Sequence, residues 1–124
     1  MDYTGKWQGL RRSVVIETLE FLTAARKLMA EDERALLVGY LAYNATAGDL
    51  IPGTGGVRKL RWRLEGRGKR GGARVIYFYH SAGLPLFALT AYAKNEREEL
   101  SQEDKNNFRR LTKLLVTSYA RSKR

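Results

Sequence analysis

The 124-residue chain contains no cysteine, one histidine and two prolines. Without cysteine there is no disulfide, no thiolate nucleophile and no cysteine-based metal site, and His80 alone cannot make a histidine-pair metal centre. No metal or other cofactor is expected. Long apolar runs are also missing, since nothing approaches the roughly 18 residues of a membrane span. Arg11 and Arg12 followed by an apolar run have the outline of a secretion signal, but Glu17 and Glu20 interrupt it. The expectation is a soluble, cytoplasmic protein with no membrane partner. Acid is scarce too, with 13 acidic residues against 23 basic ones and a net charge of +10.

That charge is concentrated. Between Arg58 and Arg74 eight basic residues stand against one acidic residue, so this stretch alone supplies +7. Local charge of this density points to a phosphate-binding surface rather than to general solubility. At this length one domain with one modest core is expected: residues 1–12 read as a flexible extension, 13–119 as the domain and 120–124 as a basic tail.

Within the domain, residues 13–17 are β-branched and read as a strand. From Thr18, a candidate cap, Phe21, Leu22, Ala25, Leu28 and Met29 fall at helical spacing. A second helix opens on the acids 31–33, and Leu36, Leu37, Tyr40, Leu41 and Asn44 are predicted to share its inner face. The two make a hairpin. Residues 48–56, with four glycines and a proline, are predicted to carry neither helix nor strand. They lead into a strand-like segment rather than a Gly-Lys-Ser/Thr helix, so a nucleotide-binding loop is not favoured.

Residues 58–64 alternate, with Leu60, Trp62 and Leu64 toward the core and Lys59, Arg61 and Arg63 away from it. A glycine-rich turn at 66–72 joins them to a nearly continuous apolar-aromatic strand at 74–80, which reads as central. Residues 84–92 complete an antiparallel meander. Residues 95–100 read as one acidic helical turn. Ser101 then opens a last helix with Asp104 in the capping-box position and Phe108, Leu111, Leu114, Leu115 and Tyr119 inward. The predicted fold is α+β, in the order β-α-α-β-β-β-α, with a helix hairpin packed on a small antiparallel sheet and a C-terminal helix.

The segments GDLIPGTGGVRKLRW, GRGKRGGARVIYFY and LTAYAKNEREELS resemble, in this order and spacing, the RelE superfamily of bacterial toxin–antitoxin toxins, most closely its HigB-type branch. The similarity covers about residues 13 to 115, and GTGG-x-RK, GKRGG-x-R-x-x-Y and Y-x-KNE are jointly specific. It implies an mRNA interferase that cuts messenger RNA on the ribosome and is neutralised by a cognate antitoxin, expected to be a helix-turn-helix protein. The family's catalytic basic positions fall on Lys59, Arg61, Arg74 and Lys94. Arg61 stands where the best-studied branch has a second lysine, and that branch's tyrosine near Leu100 is absent here.

RNA cleavage from the 2′-hydroxyl needs a base, charge neutralisation on the phosphorane and protonation of the leaving 5′-oxygen. Arginine suits the second task, since its planar fork holds two phosphate oxygens and stays charged. A lysine serves as base where neighbouring cations disfavour its charged form, and Lys59 has Arg58 and Arg61 beside it; Lys94 is the rival. Arg58, Arg63, Arg67, Lys69 and Arg70 read as RNA-binding, with Arg67, Lys69 and Arg70 docking to the backbone phosphates of ribosomal RNA, against the plainer reading of a solvated edge and turn. Tyr92 shares a face with Lys94 and is a candidate to stack on a base, whereas Tyr77 and Tyr79 read as strand filling. His80 lies six residues from Arg74, roughly 20 Å at 3.3 Å per residue, and reads as a surface residue. Glu96, Glu98, Glu99, Glu103 and Asp104 read as capping and solvation. Two other readings compete: a ParE-like, non-enzymatic gyrase inhibitor, and a noncatalytic RNA-binding module.

Overall fold

A computed structural model describes residues 12–65, 72–97 and 99–122. The extension at 1–11, the turn residues Arg67, Lys69 and Arg70, and Glu98 lie outside the described residues. The elements are β1 (Val15–Glu17), α1 (Leu19–Leu28), α2 (Glu31–Tyr43), β2 (Asp49–Leu50), β3 (Val57–Trp62), β4 (Ala73–Phe78), β5 (Leu86–Ala93) and α3 (Gln102–Ser122). The α+β class, the helix hairpin and the C-terminal helix are as the sequence reads.

The five strands lie in the order β1-β5-β4-β3-β2. The sheet is mixed rather than wholly antiparallel, because β1 runs parallel to β5, pairing Val15 with Leu86 and Glu17 with Ala88. The hairpin crosses one face of the sheet and returns the chain to the far edge, a route that only a long connection permits. Ser13 is not part of the strand, since its N–H donates to the carbonyl of Ala42 at the end of α2 (2.7 Å). Thr18 caps α1 as its position predicts: Oγ1 accepts from the N–H of Phe21 (3.1 Å) and donates to the carbonyl of Leu89 (3.1 Å). One side chain thus starts a helix and ties it to β5.

Each face of the sheet has its own core. Beneath α1 and α2, Phe21, Ala25, Leu37 and Leu41 pack on Leu60, Val75, Tyr77 and Ala88. Beneath α3, Phe108, Leu111, Leu115, Val116 and Tyr119 pack on Val57, Ile76, Phe78 and Phe87. From Val75 on, β4 is buried on both faces, as the nearly continuous apolar-aromatic sequence predicts. Asn44, predicted to share the inner face of α2, is exposed as its C-cap, and three further predicted core residues face solvent: Leu36, Tyr40 and Leu114. Each of the three precedes a buried leucine or packed neighbour (Leu37, Leu41, Leu115) by one residue, and is therefore rotated about 100° out of the contact. Tyr40 lies along the surface with its ring 5.8 Å from that of Trp62.

The glycine-rich segment 48–56 does contain a strand, β2, contrary to the sequence expectation. The buried hydroxyl of Tyr77 accepts from the N–H of Gly48 (2.8 Å) and donates to the carbonyl of Ala45 (2.9 Å), while Arg58 Nη1 donates to the carbonyls of Gly48 (2.7 Å) and Thr46 (3.1 Å). These bonds hold the segment against β3, so Asp49 pairs with Lys59 and Leu50 with Arg58. A Cβ on Gly48 would stand 2.8 Å from the Tyr77 ring, which leaves room for glycine alone. Further along, Thr54 is buried, and its carbonyl accepts from Thr112 Oγ1 on α3 (3.1 Å). The glycines therefore fit the loop between the sheet and α3 instead of forming an open cradle.

Residues 94–96 form a turn, with the N–H of Glu96 donating to the carbonyl of Ala93 (3.0 Å), and none of the described residues between 95 and 100 is helical, contrary to the expected helical turn. Leu100 is buried with the α3 core and pulls this segment down onto the sheet. No helix among the described residues is long and apolar enough to cross a membrane.

Candidate nucleic-acid interface

The register of the sheet assembles the basic residues. Arg61 on β3 is directly across from Arg74 on β4, and Arg74 is directly across from Tyr92 on β5. Direct cross-strand partners share a face, so Arg61, Arg74 and Tyr92 form a row across three strands. Lys59, two residues before Arg61, is on the same face. The hydrophobic residues of α3 sit over Val57, Phe78 and Phe87 at the other end of this face, which leaves Arg61 exposed and Arg74 half-buried in the row, while Tyr92 is buried.

Arg61 and Arg74 make no ion pair with any described residue. Arg74 is half-buried and its Nη1 reaches only the adjacent carbonyl of Ala73 (3.4 Å). Like charges directly opposite on a sheet are destabilising, so a fold that keeps two guanidiniums there without an acid between them is suited to an external polyanion. Arg74 Nη1 also lies 3.6 Å from where a Gly72 Cβ would stand, and the carbonyl of Gly72 accepts from the N–H of Lys94 (2.9 Å). The arginine head and the start of the Lys94 segment therefore converge at one corner.

Not every expected residue belongs to the row. Arg58 points to the other face, where its two hydrogen bonds to backbone carbonyls make it a brace for the 46–48 segment. Arg63 lies beyond the end of β3 and is exposed. Tyr77 is wholly buried, and burial pushes its hydroxyl pKa up while the Gly48 N–H and Arg58 oppose the rise. His80 is exposed past the end of β4, its ring 6.2 Å from that of Phe78, at the opposite end from Arg74.

Two residues to which the sequence reading gave no part lie at the site. Asp49 is the direct cross-strand partner of Lys59, placing a carboxylate at the edge of the basic face. Arg97 covers Tyr92, with its guanidinium carbon 5.0 Å from the ring centroid, and its Nη1 donates to Asp104 Oδ2 (2.8 Å). Tyr92 is 4% exposed. Burial raises its hydroxyl pKa, and the charges of Arg97 and Arg74 pull it partly back. The position of Arg97, four residues before a capping box, was the available signal.

That capping box is complete: Ser101 N–H donates to Asp104 Oδ2 (3.2 Å) and Asp104 N–H donates to Ser101 Oγ (3.0 Å). Burial pushes the Asp104 carboxyl up, but the backbone and side chain of Ser101 and the charge of Arg97 outweigh it and hold its pKa below 3.8. A carboxylate with a depressed folded value stabilises the fold above its unfolded value, near 3.9, and that contribution is lost as pH falls through the folded value. Asp104→Asn is therefore expected to cost about 1 kcal/mol at neutral pH, as loss of a capping interaction does, and the difference from the parent should close in the acid range below the usual aspartate value. Thermal melts of both proteins from pH 7 down to pH 2 check this; a gap that persisted unchanged in acid would contradict it.

The fold and the row define a class: a small basic α+β domain that presents unpaired guanidiniums at one end of a sheet face. A family profile described as the RelE toxin of the RelE / RelB toxin–antitoxin system matches residues 15–122. The chain belongs to that family, whose members are toxins paired with a cognate antitoxin.

Proposed function

We propose that this protein is a ribosome-dependent messenger RNA endoribonuclease of the HigB-type branch, held in check by a helix-turn-helix antitoxin. The branch assignment rests on the GTGG-x-RK, GKRGG-x-R-x-x-Y and Y-x-KNE motifs. The observation that carries the activity is the cross-strand pair Arg61 and Arg74, unpaired by any described acid and flanked on the same face by Lys59.

In this reading Lys59 accepts the proton of the 2′-hydroxyl. The 2′-oxygen bonds to phosphorus, Arg61 and Arg74 neutralise the equatorial oxygens, and the bond from phosphorus to the 5′-oxygen breaks. Lys94, beside Arg74, supplies the proton to that oxygen. The products are a 2′,3′-cyclic phosphate and a 5′-hydroxyl. Arg63, with Arg67, Lys69 and Arg70, docks the backbone of the bound RNA.

Expression of the chain alone is expected to arrest growth by halting translation, with messenger RNA cut at cyclic-phosphate ends and growth restored by co-expression of the antitoxin. Normal growth at high levels of folded protein would refute the proposal. Arrest with DNA breaks and intact message would replace it with gyrase inhibition. Cleavage in preformed ribosome–message–toxin complexes should also continue after EDTA is added, since no step above uses a metal.

A further inference from the structure

Arg97 is held more firmly than its place on a surface turn requires. Tyr92 supports one side of its guanidinium, and Asp104 accepts from Nη1 at one edge. Asp104 is itself fixed by the capping box of α3. The Arg97 side chain nonetheless remains 47% exposed, so the side away from Tyr92 is open. The arrangement keeps the cation over Tyr92, whose backbone is one strand spacing, about 4.8 Å, from that of Arg74 at the end of the basic row.

We infer that Arg97 is a base-stacking residue: its open guanidinium face receives a nucleobase of the RNA strand whose phosphate lies at Arg61 and Arg74. The inference rests on the RNA-cleavage reading and adds to it the group that positions the nucleotide. Guanidinium planes stack on bases, and they do so with little sequence preference because every base has a π-face. Tyr92, beneath Arg97 and almost wholly buried, is the support of this platform and not the stacking surface. Its hydroxyl, buried and without a hydrogen-bond partner among the described residues, leaves the ring as the part of Tyr92 that acts.

The test separates a stacking plane from a positive charge. On a ribosome-bound message, Arg97→Ala and Arg97→Lys are both expected to raise the concentration of toxin needed for half-maximal single-turnover cleavage, by about 10-fold to 100-fold. The rate at saturation should change far less. Arg97→Phe, planar but uncharged, should recover most of the loss. Rescue by lysine and not by phenylalanine would show a phosphate contact and overturn the inference, as would parental behaviour of all three variants.

Binding gives a second readout that does not depend on cleavage. An RNA oligonucleotide carrying 2-aminopurine on a 2′-deoxyribose should lose fluorescence when bound by the parent or by Arg97→Phe, and not when bound by the alanine or lysine variant. A parent that quenches the probe yet cuts no message would sink the proposed reaction and leave the stacking site standing. A parent that cuts but never quenches would do the reverse.

Discussion

Arg74→Ala is expected to slow single-turnover cleavage of ribosome-bound message by about 100-fold or more, the usual loss when one transition-state charge contact is removed. His80→Ala should stay near the parental rate. The contrast follows from position: Arg74 faces Arg61 across the strands at one end of the sheet, whereas His80 is exposed beyond the opposite end of the same strand. Arg74→Lys should recover only part of the loss, because an ammonium cannot present the two-pronged fork of a guanidinium. A dead His80→Ala with a near-normal Arg74→Ala would overturn the cationic mechanism.

The largest effect expected on stability is at Gly55. Its φ of +78° is one that side-chain-bearing residues rarely adopt, and a Cβ there would stand 2.4 Å from Thr112 Oγ1. Gly55→Ala therefore combines backbone strain with a collision against a buried hydroxyl, and a cost of about 2–4 kcal/mol is expected. At about 4–8 °C per kcal/mol for a small domain, the melting temperature should fall by at least about 8 °C. Thr112→Ala clears the space but gives up the hydrogen bond to the carbonyl of Thr54. The double variant should thus be more stable than the sum of the two single losses implies, and a double-mutant cycle from denaturant titrations measures that coupling. Strict additivity would mean that the collision is relieved elsewhere.

The parts of this fold that were legible in the sequence are those specified by near neighbours. Thr18 and the Ser101–Asp104 box sit one turn from the groups they satisfy, and the alternation of 58–64 correctly places Leu60 and Leu64 in one core. What was hidden depends on distant segments. The parallel seat of β1 and the pairing of β2 follow from Leu86 and Tyr77, which no local pattern connects to them. At the site, alternation alone put Lys59 and Arg61 on one face, but it could not show that Arg58 would brace backbone carbonyls or that Arg97 would lie over Tyr92. Periodicity also marks too wide a helix face when leucine and tyrosine occur in adjacent pairs, as at Leu36–Leu37 and Tyr40–Leu41.

The pairing of β1 with β5 has a consequence for synthesis. Val15 meets Leu86 only after 71 further residues have been made, which at about 5–20 residues per second takes about 4–14 s. During that time the hairpin of α1 and α2 can form from local contacts, but the first strand has no partner and Thr18 has no Leu89 carbonyl to bond. Closure of so distant a contact is slow by its nature. β5 supplies Tyr92 to the basic row as well as the partner of β1, so the N-terminal edge and the basic face are completed by the same late segment. A nascent chain shorter than about 90 residues has neither, so the basic row is assembled only once β5 has been made.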